Sequence, residues 1–209
     1  MKLLRSPPIE HSETDFKVAI VTGLSDPKST QLSHDQHRFL DAMPIEERWK
    51  IRHNFPFLPT TESRRRPSII WASWNNGWQF ARARSNDYRN LSKPHWQALC
   101  DSTERLFLIT GSCGYQLIDA MEACKNVPKV HVLALGPVRR GECRFEATKI
   151  LGRRDWIARW FTPHCDRTVA GVGHLDYWNH DTVTGIAANW LLDKLSESSG
   201  PAVTFPQPV

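Results

Sequence analysis

The sequence has no uninterrupted apolar stretch approaching the roughly 18 residues that a membrane-spanning helix needs. Its opening, MKLLRSPPIE, lacks the apolar core of a secretory leader. Neither a membrane span nor export is therefore expected. The cysteines are few and scattered: Cys100, Cys113, Cys124, Cys143 and Cys165 form no C-x-x-C pair and no zinc-ligand pattern. Their odd number argues against a complete disulfide framework, so a reduced, cytoplasmic protein is expected. No phosphate-binding loop is present, and no dinucleotide fingerprint follows the first apolar run, so no cofactor is expected. Aromatic and basic residues alternate over 71–96, but no nucleic-acid module signature accompanies them. There is no internal repeat.

What is there fits one folded domain. The chain has 209 residues, of which 40% are hydrophobic, enough to bury a core. Charges of both signs are mixed, and the formal net charge of +5 favours acidic partners. Nine tryptophans suit bulky core packing or an aromatic-lined cleft. The basic run Arg64 to Arg66 lies among Pro and Thr and reads as a solvated loop.

Apolar runs and helical spacings alternate along the chain. Strands are expected at KVAIVTG (17–23), SIIWAS (68–73), RLFLIT (105–110), VHVLALG (130–136), ATKILG (147–152) and, more weakly, DRTVAGVG (166–173). Helices are expected at 33–44, capped by Ser33 and stopped by Pro44, and at 74–91, 93–103 and 115–124. A closing amphipathic helix at 181–195 has Asp181 as its expected N-cap. Residues 53–67 read as a loop. Residues 1–14 read as a flexible lead-in, 15–195 as the domain and 196–209 as a flexible tail. Short, almost wholly apolar strands separated by helices predict an α/β three-layer sandwich. Its central sheet is mostly parallel, has about six strands and is covered on both faces. In such sheets, sites form at the carboxyl ends of the strands.

Three strand ends carry reactive side chains. The third is followed by Thr110-Gly111-Ser112-Cys113-Gly114, the fifth by GRRDW with Asp155, and the sixth by GVGHLDYW with His174. The order is nucleophile, acid, histidine. In LITGSCG, ILGRRDW and GHLDY the chain resembles the α/β-hydrolase superfamily, over about 17–195, and the first of these segments looks like its nucleophile elbow. The resemblance departs from the G-x-S-x-G pattern at Thr110. It also leaves little room for opening antiparallel strands, and only ten residues (137–146) where many members insert a lid domain. It implies a minimal, lidless hydrolase with Ser112, Asp155 and His174 as a triad.

Two nucleophiles stand side by side. Residues two before and two after an elbow nucleophile must be small. Ser112 has Thr110 and Gly114 there, whereas Cys113 would have Gly111 and Tyr115, and the tyrosine would collide with the turn. Steric fit favours Ser112, and activation by a histidine serves either residue. The resemblance implies an oxyanion hole built from the backbone N–H of Cys113 and a second donor, Leu24 or Gly23, in the loop TGLSD. Trp71 and Trp74, with Trp78, are candidates for an aromatic wall of the acyl pocket, and core packing is the plainer reading of them. Asp176 is too near His174 in sequence to be the expected acid. His180 is expected to help cap a helix, Asp166 to be a turn residue, and His34 and His37 to be exposed polar residues rather than metal ligands.

The resulting expectation is a serine hydrolase cleaving an ester or thioester, with a thioesterase acting on carrier- or coenzyme-A-linked acyl groups as one subtype. The expected partners are a small-molecule or carrier-tethered acyl substrate and an acidic carrier protein, with no nucleic acid and no membrane. The alternatives are a non-catalytic hydrolase-like binding protein and a cysteine-dependent acyl hydrolase using Cys113.

Overall fold

In the computed structural model, residue 4 and residues 7–24, 29–59 and 85–197 are described. Six strands form one sheet in the order β2-β1-β3-β4-β5-β6. They are β1 (Thr14–Val21), β2 (Lys50–Ile51), β3 (Thr103–Gly111), β4 (Lys129–Leu135), β5 (Ala147–Gly152) and β6 (Arg167–Val169). Every neighbouring pair is parallel.

The apolar runs are continuous because both faces of the sheet are covered, and their alternation sorts residues between two cores. Ala19 and Val21 of β1, Leu106 and Leu108 of β3, and Val132 and Ala134 of β4 face one way. They pack against Trp96 and Leu99 of helix α2 (Asn86–Asp101) and against Leu117, Ile118 and Met121. Val18 and Ile20, Phe107 and Ile109, and Leu133 and Leu135 face the other way. Their partners are Phe39 and Leu40 of α1 (His34–Asp41) and Val183, Ala187 and Leu191 of α5 (Asp181–Ser196). Between these lie α3 (Gly114–Leu117), which tightens into a 3₁₀ turn over Ile118–Ala123, and α4 (Trp156–Phe161). Among the described residues no helix is long and apolar enough to cross a membrane.

Several expectations need correction. The helices expected at 74–91 and 93–103 are, over the described residues, one helix that begins at its cap Ser85 and runs through Pro94. Proline lacks the N–H that would bond back to the preceding turn, and an interior proline costs about 3 kcal/mol. The buried face of Tyr88, Ser92, His95, Trp96 and Leu99 spans the break and holds the helix together. Asp181 is the first residue of α5 rather than its cap: His180 holds that position, and its carbonyl accepts from the N–H groups of Val183 and Thr184. The two-residue β2 was too short to register as a periodic run. The expected strand 68–73, with Trp71, and the segment holding Trp74, Trp78 and Arg64 to Arg66 lie outside the described residues.

Candidate active site

Ser112 directly follows β3 in a conformation that few non-glycine residues adopt, with φ of 51°. The turn is held on one side by β4 and its following loop. The Ser112 N–H donates to the Leu135 carbonyl at 3.2 Å, and the Val138 N–H donates to the Ser112 carbonyl at 3.0 Å. On the other side it is pressed against the end of β1. A Cβ on Gly114 would lie 1.9 Å from the Val21 carbonyl oxygen, so only glycine allows α3 to start there. Gly111 is nearly as confined, with the Trp178 ring 2.6 Å from where its Cβ would be. Thr110, two residues before the serine, is fully buried within β3, so the departure from G-x-S-x-G is accommodated in the strand.

Cys113 points inward. It is 2% exposed, its thiol is pushed up to about 11 by burial, and the thiol lies against the backbone of Gly23. A thiol held there stays protonated near neutral pH.

His174 follows β6 and a tight turn, and its ring bridges two other strand ends. Nε2 lies 3.0 Å from Ser112 Oγ, and Nδ1 lies 2.9 Å from Asp155 Oδ2 and 3.0 Å from Oδ1. The Asp155 side chain is completely buried, while His174 retains 19% exposure. Burial alone would raise the Asp155 carboxyl. The bond from His174, the Ala158 N–H, the charge on His174 and the Tyr177 hydroxyl outweigh it and hold the group below its usual range. The bond from the Ala158 N–H also makes Asp155 the N-cap of α4. Asp176 accepts from the Gly173 N–H at 2.8 Å and so shapes the histidine turn.

Two supporting residues had no signature in the sequence. Tyr177 donates from its hydroxyl to Asp155 Oδ2 at 2.7 Å and accepts from the Gly152 N–H at 2.8 Å. Asn54 is 4% exposed and grips the backbone of Thr22 with both ends of its amide. Its Oδ1 accepts from the Thr22 N–H at 2.8 Å, and its Nδ2 donates to the Thr22 carbonyl at 3.0 Å. Thr22 in turn touches both elbow glycines: its Cγ2 lies 3.1 Å from the Cβ position of Gly111, and its Cα 3.1 Å from that of Gly114. Gly23 and the buried Leu24 follow directly, on the far side of the elbow from β4.

A cleft of about 620 Å³ is lined by residues including Tyr115, Arg139, Cys143, Phe161 and His164, and by none of Ser112, Asp155 and His174. Arg139, in its wall, is largely buried and pairs with Asp119 at 2.6 Å.

No family model and no curated protein matches the chain. Solved structures do. A predicted CIB-like hydrolase from Thermoplasma acidophilum is 12% identical and superposes with a TM-score of 0.51, over 88% of this chain and 89% of its own. A putative α/β hydrolase of unknown function from Agrobacterium tumefaciens is 14% identical, with a TM-score of 0.49 over 92% and 90%. A lidless α/β serine hydrolase from Xanthomonas campestris is 14% identical, with a TM-score of 0.47 over 95% and 88%. With its all-parallel sheet, its two covering layers of helices and the likeness to the Thermoplasma acidophilum hydrolase, the chain has an α/β-hydrolase-like fold.

Proposed function

We propose that the protein is a serine hydrolase that cleaves an ester or thioester through an acyl-enzyme. The observation that carries this is the unbroken chain from Ser112 Oγ to His174 to the buried Asp155, with the serine on a strained turn at the end of β3. Such a chain has a recognised chemical use. Ser112 Oγ attacks the acyl carbonyl while His174 Nε2 takes its proton. Asp155 holds Nδ1–H, fixing the tautomer and stabilising the imidazolium. The tetrahedral intermediate collapses, His174 returns the proton to the leaving group, and Ser112 is left acylated. Water activated by the same histidine then releases the acid. The charge on the intermediate is taken by the backbone N–H of Cys113 and by a second donor, Gly23 or Leu24, each worth on the order of 3 kcal/mol. The burial of Cys113 leaves its thiol no part in this chemistry.

The leaving group is anionic in this reading, coenzyme A or an acidic carrier protein, in keeping with the net charge of +5. The test is a parallel assay of aryl esters and acyl-coenzyme A thioesters. Turnover of either class that disappears in Ser112→Ala supports the hydrolase, and faster turnover of the thioesters supports the subtype. Good cleavage of aryl esters with none of thioesters removes the subtype. Turnover that survives in Ser112→Ala removes the triad.

A further inference from the structure

The large apolar side chains that stand furthest into solvent among the described residues are Trp160 at 84% exposed, Trp156 at 75% and Leu175 at 69%. They lie beside the candidate triad. Trp156 directly follows Asp155, which caps α4, and Leu175 directly follows His174. Trp156 and Trp160 are four residues apart on α4 and therefore share a face. Arg159 falls on the same side, and Arg153 and Arg154 lie just before the helix. All three arginines are exposed, and none is in an ion pair among the described residues. The one acid within this segment, Asp155, is buried and committed to His174.

Exposed indoles cost solubility and contribute nothing to the core, so a surface that keeps two of them beside three unpaired arginines has an occupant. We infer that the α4 face docks onto an anionic lipid surface, with the two indoles entering the headgroup layer and the arginines meeting lipid phosphates. The charges require an anionic occupant. The pairing of indoles with arginines on one face favours a lipid surface over a protein. A fluid interface needs no matching pockets, and tryptophan and arginine both settle at its polar boundary. This departs from the sequence-based expectation of no membrane partner. It stands apart from the hydrolase reading, since docking needs no turnover, but it would set the triad close to membrane-borne acyl groups.

The test is co-sedimentation of the full chain with phosphatidylcholine vesicles, with and without about one-third phosphatidylglycerol. Trp156→Ala/Trp160→Ala and Arg153→Ala/Arg154→Ala/Arg159→Ala are run alongside, and thermal melting checks that both fold. The wild type is expected to sediment with the anionic vesicles and to be released by about 0.5 M salt. An arginine near such a surface is worth about fivefold in partition, so the triple variant should lose about a hundredfold. The double variant should lose about tenfold on the anionic vesicles. A wild type that stays in the supernatant overturns the inference, as do folded variants that sediment like the wild type. A wild type that ignores vesicles but comigrates with polyglutamate in gel filtration also overturns it, assigning the face to an acidic protein.

Discussion

Asn54 and Tyr177 act at one remove from the candidate triad, and each makes a separate prediction. Asn54 holds Thr22, which packs on the elbow glycines and leads into Gly23 and Leu24. Asn54→Ala frees that backbone. The expected result is a fall in kcat of about tenfold to a hundredfold with KM little changed, because an oxyanion donor acts mainly in the transition state. Affinity for a trifluoromethyl ketone, which forms a tetrahedral adduct, should fall in step with kcat/KM. A variant that loses only thermal stability would reduce Asn54 to a structural role. Tyr177→Phe removes a donor from Asp155 Oδ2. With less of its charge satisfied, the carboxylate pulls harder on the His174 imidazolium, so the acid limb of the kcat/KM profile should move to higher pH. An unmoved limb would contradict the assignment. The spacing of reactive residues after strands made Ser112, Asp155 and His174 legible in the sequence. Asn54 was not legible, because a lone asparagine near prolines has no periodicity and its partner is 32 residues away. Nor was Tyr177, whose hydroxyl partner is 22 residues back along the chain.

At the scale of elements, the glycines separate what packing demands from what it tolerates. Gly114→Ala drives a methyl into the Val21 carbonyl, where only backbone could yield. It should cost about 3 kcal/mol or prevent folding, read as a lowered urea midpoint. Gly185 is exposed within α5, and a Cβ there meets nothing within 4 Å. Gly185→Ala should therefore raise stability by about 0.5 to 1 kcal/mol. Equal effects of the two would contradict the packing described. Ser33 was legible as a cap at the head of the helical spacing, and the structure adds a capping box in which Gln36, three residues on, returns the bond. The continuity of α2 through Pro94 was not legible, since local propensity argues for a break there and the burial of Trp96 and Leu99 overrides it.

For the whole molecule, short and almost wholly apolar runs separated by helices anticipated the parallel sheet covered on both faces, while the role of β2 at its edge depends on pairing with β1. Acid stability is also a property of the whole. Burial, reinforced by the positive charges of Lys17 and His95, lowers His11 to about 4. Burial, with His11 and His95, lowers His53 to about 4 as well. Both histidines are neutral in the folded protein at neutral pH, whereas in the unfolded chain they take up protons below about 6.5. The unfolded state thus binds more protons between about 6.5 and 4, and stability falls with pH across that window. The urea midpoint should be level above about pH 7 and decline below about 6.5, and His53→Phe should flatten the decline.

Whether Ser112 is an activated nucleophile can be read from intact mass after incubation with a fluorophosphonate. A single adduct is expected on the wild type and on Cys113→Ala, and none on Ser112→Ala. An unlabelled wild type, or an adduct lost in Cys113→Ala and kept in Ser112→Ala, would contradict it.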